Sequence, residues 1–381
     1  MKRDIRYVPQ FTEEMKAAAL RVMDSGQMIR GGVNTPSEGK TFEEEFSLWC
    51  GLDSSVNLSS GTAGLHLSLI AYGIGSGDEV ITVANTFNSV ADCIILVGAT
   101  PVFVDICKDT FNIDVEKISS AITPRTKAIM PVHTAGLSAD MDPIMELAKE
   151  HDLIVIEDAC QALGARYKGR MIGTTGHVGV YSFVQNKAVC CGGEGGMVAT
   201  NDLDVANRIR TLANHGRGDR WDDKSGQTYG RVVHDMVGFN YRQDEMLSAI
   251  GRVALKDVHP MNVKRRQNAQ TYRSLFADRN VPIVLPTEKE WAHHSFLRYT
   301  ILAPERDALR EYASEHGIHA GINYPTPLHL DPPYQQFGGP EGSLPVTEEV
   351  AKTTLTIPNY PSMTDDDLRF VVDTVTEFYS E

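Results

Sequence analysis

"EVITVANTFNSVADCIILVGATPVFVDI", residues 79 to 106, holds two short apolar runs with a helical stretch between them. "EVITV" and "TPVFVDI" have strand length, and "SVADCIILVG" reads as the helix that joins them. The same unit extends in both directions. "SVNLS", "KAIMPV" and "LIVIEDA" are further strands; "TAGLHLSLIAYG" and "MDPIMELAKEHD" are further helices. Alternation of this kind predicts right-handed βαβ units and a largely parallel sheet with helices on both faces. The near-continuous apolar strands agree, because parallel strands are buried on both sides.

Two helices precede the alternation. "FTEEMKAAALRVMDSGQ" has Thr12 as its cap and Glu13 and Glu14 at its positive end; "FEEEFSLWCG" closes on Gly51. A loop-rich region follows at about 163–195, then the helix "LDVANRIRTLANHG" and the polar turns "GRGDRWDDKSGQTYG". A long helical tract runs from about Asp244 to Asp278, and Pro260 should kink or break it. Strand and helix patterns mix in the remainder. The expected fold class is therefore α/β, with a large domain (1–250) built on a mostly parallel sheet flanked by helices. A smaller C-terminal α/β domain (251–381) completes it.

A chain of 381 residues, 42% hydrophobic and 23% charged, belongs with globular proteins. Its formal net charge of −14 argues against a general nucleic-acid or anionic-membrane partner, since both reward a basic face. A phosphorylated small molecule stays compatible, because a few local donors suffice. "MKRDIRYVPQ" lacks the apolar core of a signal peptide, and no apolar run approaches the roughly 20 residues of a membrane span. The expectation is a soluble, cytoplasmic protein. Its six cysteines include no CxxC, no HExxH appears among its histidines, and no metal is expected. Cys190 and Cys191 read as small packing residues in preference to a redox pair.

Asp158 ends "LIVIEDA", where open α/β sheets bind ligands; it is either a cap or a carboxylate facing a cationic ring nitrogen. Its neighbour Glu157 should point to the opposite face. Ser60, Gly61 and Thr62 open a helix, and a helix start with two hydroxyls makes a phosphate site. Phe87 is either core or a flat surface for a planar ligand. Lys187 lies in "YSFVQNKAVCCGGEGGMVAT" (181–200), among apolar, small and neutral residues that lower an amine's pKa and make it a usable nucleophile. Acid, phosphate cradle, aromatic face and sequestered lysine together describe one cofactor, pyridoxal 5′-phosphate (PLP).

Longer segments carry a family resemblance: "SSGTAGLHLSL", "GSGDEVITVANTF", "ITPRTKAIMPVHTAGLSADMD", "VIEDACQALGARYKGR", "SFVQNKAVCCGGEGG", "GFNYRQDEMLSAI" and "INYPTPLHL". From about residue 10 to its end the chain resembles the DegT/DnrJ/EryC1/StrS aminotransferases, PLP enzymes of fold type I acting on sugars and related cyclic ketones. The resemblance implies that Lys187 forms the Schiff base and Asp158 pairs with the pyridine nitrogen. It implies that Gln161 lies against the cofactor, that Gly61, Thr62 and Ser182 bind its phosphate, and that Phe87 stacks on its ring. Asn240 would reach the phosphate of a neighbouring subunit's cofactor, which implies a homodimer with shared active sites. Arg242 and His329 fall in segments near the substrate, though an ion pair and a packed loop histidine are competing readings.

By the same resemblance, glutamate or glutamine donates the amino group, with ping-pong kinetics, to a nucleotide-linked keto-sugar. A ketocyclitol or related carbocycle is the alternative acceptor, favoured by the wording "SFVQNKAVCCGGEGG" and "TAGLSADMD". The insertion-like "GGVNTPSEGKTFEEEF" is expected to border the substrate entrance. A sugar dehydrase or oxidative deaminase is disfavoured, because the resembling dehydrases replace the lysine by histidine. A non-catalytic PLP-binding regulator would show a broken lysine–aspartate pair.

Overall fold

The computed structural model describes residues 3–29, 37–217 and 234–380. Most of the polar-turn stretch "GRGDRWDDKSGQTYG" and the first part of "GGVNTPSEGKTFEEEF" lie outside these residues. Two helices lead the chain, α1 (Glu13–Ser25) and α2 (Glu38–Cys50). Thr12 Oγ1 accepts the Met15 N–H at 3.2 Å and starts α1 as expected. Gly51 ends α2 in the left-handed conformation, φ 78°.

The strand–helix alternation follows: β1 (Ser54–Leu58), α3 (Gly61–Ala71), β2 (Glu79–Val83), α4 (Ser89–Leu96), β3 (Thr100–Val104), α5 (Val115–Ala121), β4 (Thr126–Ile129), α6 (Met141–Glu150) and β5 (Ile154–Asp158). Next come β6 (Arg166–Tyr167), β7 (Arg170–Met171), β8 (Val178–Ser182), β9 (Gly196–Thr200) and α7 (Leu203–Ala213). The chain continues through α8 (Glu245–Lys256), α9 (Val258–Phe276), β10 (Ala292–His293) and β11 (Tyr299–Leu302). It finishes with α10 (Arg306–Glu315), α11 (Pro345–Thr353), β12 (Thr354–Ile357) and α12 (Asp365–Phe378).

A seven-stranded sheet has the order β1-β9-β8-β5-β4-β2-β3. Only β9 runs against its neighbours; the pairs from β8 to β3 are parallel. The fold class matches the expectation, and one part of the reading needs correction. The region taken as loop-rich contains β8, a central strand. Gly179 interrupts its apolar run because the Gly173 backbone crosses where a side chain would stand. The long helical tract does break: α8 ends at Lys256 and α9 restarts at Val258. Pro260 then lies in the first turn, where its missing N–H leaves no bond unmade.

The larger hydrophobic core surrounds the sheet. A second core gathers Tyr272 and Phe276 of α9, Tyr299 and Ile301 of β11, Leu355 of β12 and Val371 of α12. Ile5 joins it from the other end of the chain, paired with Ile318. Because β2, β4, β5 and β8 run parallel, the segments that leave them collect along one sheet edge. That edge carries the candidate chemistry.

Candidate active site

Asp158 is the last residue of β5 and only 4% exposed. Its Oδ1 accepts the Cys160 N–H at 3.0 Å. Glu157, on the opposite face, is committed elsewhere. Its oxygens accept from the N–H groups of Gly173, Thr175 and Gly176 and from His133 Nε2 at 2.9 Å. His133 Nδ1 accepts the Ala139 N–H, so Nε2 carries the proton that Glu157 receives. Burial alone would raise the Glu157 pKa, but His133 and the backbone donors outweigh it and the pKa falls. Of the two adjacent acids, one is structural and the other faces the ligand edge.

Cys160 connects the rest. A Cβ on Gly61 would lie 2.7 Å from Cys160 Sγ and 3.1 Å from Ser182 Cβ, so only glycine lets the start of α3 press against the end of β8. Ser60 caps that helix by accepting the Ala63 N–H at 3.0 Å. The Gly61 and Thr62 N–H groups lie in its first turn, where no intrahelical acceptor exists. Thr62 is exposed and Ser182 half-buried. Cys93 Sγ donates to the Thr62 carbonyl at 3.3 Å. Burial first, then the Asp158 charge, pushes the Cys160 thiol well up; Lys187 opposes this. Asp158, Gly61, Thr62, Ser182 and Lys187 therefore ring two neutral thiols.

Lys187 sits on the fold-back between β8 and β9, pinned by Lys187 N–H to Val184 O (2.9 Å) and Gln185 N–H to Gly193 O (3.0 Å). Ala188, Val189 and Cys191 anchor the turn in the core; both Cys190 and Cys191 are free thiols. Burial, and then the positive charge of Arg298, lowers the Lys187 amine to about 8, against the opposing pull of Cys160 and Asp158. An amine at about 8 is neutral roughly 300 times more often at pH 7 than one at 10.5. Such an amine is a nucleophile.

Gln161 is buried, and its Oε1 accepts from the Ala135 N–H at 3.3 Å and from Arg298 Nη1 at 3.0 Å. Arg298 Nη1 also donates to the Tyr324 hydroxyl at 3.3 Å. Sequence reasoning missed both Arg298 and Tyr324. Arg298 stands in no motif and Tyr324 only within "INYPTPLHL", and the fold alone brings Arg298 near a lysine more than a hundred residues away, with Tyr324 bonded to it. Phe87 follows β2 and is 59% exposed, which excludes the core reading of that ring. The set suits a planar aldehyde carrying a phosphate: a depressed amine, a buried carboxylate, an uncovered aromatic face, and two hydroxyls at a helix start.

The remaining candidates have other surroundings. Asn240 is exposed on the segment that pairs with Asn214. Arg242 Nη1 donates to Asn214 Oδ1 at 2.7 Å, and its backbone bridges Leu58 just ahead of α3. His329 is fully buried beside Leu328, with Nε2 at 3.1 Å from Glu348 Oε1; this is the packed-loop arrangement. Among the described residues no helix is long and apolar enough to cross a membrane.

The model of the DegT/DnrJ/EryC1/StrS aminotransferase family matches residues 9–376. A Geobacillus stearothermophilus "pleiotropic regulatory protein" is 38% identical over 96% of both chains. The dTDP-3-amino-3,4,6-trideoxy-α-D-glucose transaminase of Streptomyces venezuelae is 39% identical over 96% of this chain and 92% of that one. The solved structure of S. venezuelae DesV in complex with a ketimine intermediate superposes with a TM-score of 0.88. It is 38% identical, over 97% of this chain and 95% of that one. With a family match over nearly its whole length and the same fold as a solved relative, the chain belongs to the DegT/DnrJ/EryC1/StrS aminotransferase family and is a PLP-dependent aminotransferase of fold type I.

Proposed function

We propose that the protein transfers an amino group from glutamate or glutamine to the ketone of a nucleotide-linked sugar, in amino-sugar biosynthesis. The single observation that carries the site assignment is Lys187: an amine lowered to about 8, within the electrostatic reach of Asp158. The sugar-linked substrate in the name of the S. venezuelae transaminase, whose match covers 96% of this chain, supports the sugar-linked acceptor.

When bound, PLP supplies the electron sink that lets the carbon beside an amine lose a proton. The chain's own residues do the rest. Lys187 Nζ holds the cofactor and, once released by the donor, takes the proton from the donor's α-carbon and delivers it to the cofactor side. Asp158, whose second oxygen is free of the Cys160 bond, keeps the ring nitrogen protonated. Gly61, Thr62 and Ser182 receive the phosphate, Phe87 covers one ring face, and Gln161, fixed by Arg298, lies against the other part of the ring. Asn240, exposed, would serve the cofactor of a second subunit in a homodimer working in the cytoplasm. Residues 1–250 would form the cofactor-binding part and 251–381 the smaller part. Arg242 and His329 act on substrate only indirectly in this reading, through Asn214 and Glu348.

The test uses purified holoenzyme. Glutamate or glutamine should shift the cofactor band, and Lys187→Ala should lose both that band and nearly all turnover. A panel of dTDP-, UDP- and GDP-linked keto-sugars against scyllo-inosose-type ketones then reads the acceptor. Turnover with the cyclitols alone would overturn the nucleotide-sugar assignment.

A further inference from the structure

We infer that Arg265 holds a small monovalent anion of the halide class, in the seam where α9 meets the 358–360 segment and the N-terminal Tyr7. Arg265 lies on α9 between Asn262 and Asn268, three residues from each, so the three share one helix face. All three are buried, Arg265 to 3% exposure. The facing segment is tied down by side-chain amides. Asn268 Nδ2 donates to the Tyr360 carbonyl at 3.0 Å, and Asn359 Nδ2 donates to the Phe296 carbonyl at 2.9 Å and the Arg265 carbonyl at 3.4 Å. The Tyr360 ring meets the Tyr7 ring edge-on, with 6.1 Å between centroids. Tyr7 Oη in turn donates to the carbonyl of Gln185 at 3.3 Å, two residues before Lys187. The seam therefore adjoins the Lys187 hairpin.

The positive charge in this seam is uncompensated. Arg265 Nη1 donates to Asn262 Oδ1 at 3.0 Å, a neutral acceptor, and the buried Nε has no acceptor. Among the described residues no carboxylate pairs with the guanidinium; besides burial, only Tyr7 acts on its charge. Tyr7 supplies no negative charge, because burial raises its hydroxyl pKa against the pull of Arg265. Burial raises the thiol of Cys190, the other group acting on Tyr7, in the same way. A buried amine can shed its proton near neutrality, but a guanidinium lowered by burial to about 10 keeps it.

Water could meet the orphaned N–H, yet it leaves the charge, and an unpaired buried charge costs far more than an unmet donor. An anion answers both. One cation takes one negative charge: sulfate or a dianionic phosphate would leave a second charge buried. A guanidinium this enclosed also favours an ion of halide size over a larger organic acid. Asn268 Oδ1 and Asn359 Oδ1, in the same seam, are buried without a donor, which suits an ion that carries water with it.

The test is thermal unfolding of holoenzyme in sodium gluconate and in sodium chloride at equal ionic strength. Chloride should raise the midpoint saturably, by about 2 °C or more, because it binds the folded state alone. Arg265→Met should abolish the difference between the two salts. Should that variant fail to fold, wild-type crystals in bromide decide, since an anomalous peak should lie within hydrogen-bond reach of Arg265 Nε. Equal midpoints in the two salts, or a chloride response that Arg265→Met retains in full, overturn the inference. So does a bromide map with no peak at the guanidinium, or a carboxylate of a second copy of the chain paired with Arg265.

Discussion

Replacing Lys187 by methionine should make the cofactor-free protein more stable while abolishing its activity. The lysine amine is held at about 8 against an ordinary 10.5, so the folded state disfavours its protonation. The difference, 10.5 − 8 = 2.5, corresponds to about 3 kcal/mol of destabilisation at pH 7, where the unfolded chain carries the proton freely. The sign follows from proton counting. A lysine whose folded pKa is lowered binds fewer protons folded than unfolded between pH 8 and 10.5, so stability rises with pH across that window. Below pH 8 the full penalty applies; by pH 10 about 1 kcal/mol is left. Methionine has similar length and no charge, and escapes the penalty at every pH. Urea unfolding of cofactor-free wild type and Lys187→Met, at pH 7, 8.5 and 10, measures the gap. The gap should be about 3 kcal/mol at pH 7 and shrink by about two thirds at pH 10. Better packing of methionine would add a pH-independent offset, so the shrinkage is the diagnostic. A gap that stays constant with pH would refute the reasoning: the amine would then be solvated, and its nucleophilicity would need another source.

Gly61→Ala should cost about 1–3 kcal/mol by overpacking against Cys160 and Ser182 and weaken cofactor affinity, read by dialysis and band intensity. Adding Cys160→Ala removes the nearer contact and should restore part of both losses; no restoration would show that α3 shifts as a unit. Glu157→Gln should destabilise the protein by about 3–5 kcal/mol, because an amide turns a donor toward three backbone N–H groups that the carboxylate oxygens now accept from. The wild-type Glu157 pKa is depressed on folding, so its contribution is complete above the ordinary carboxylate pKa and disappears as acid drives pH below it. Soluble yield and urea midpoint at pH 7 check the first statement, and acid titration of the midpoint the second.

How much of this site was legible beforehand depends on where each residue gets its meaning. Lys187, Asp158, Gly61 and Thr62 were readable because each is unusual locally: a cation among small residues, an acid ending an apolar strand, a hydroxyl-bearing helix start. The structure adds that Glu157 is committed to the turn at 173–176 and to His133, none of them near it in sequence. β8 stayed hidden because a glycine interrupts its apolar run, although that glycine is what lets the Gly173 backbone cross and Tyr181 bond the Ile172 carbonyl at 2.8 Å. Arg298 was invisible for a different reason. Its significance is its bond to Gln161 and its charge near Lys187, and contacts made across more than a hundred residues leave no pattern in a sequence. Periodicity reports what a side chain is buried against, whereas a binding group is defined by what it has not yet met. For that reason the cofactor-type residues could be named in advance, while the arginine that fixes Gln161 emerged only from the bonds the folded chain makes.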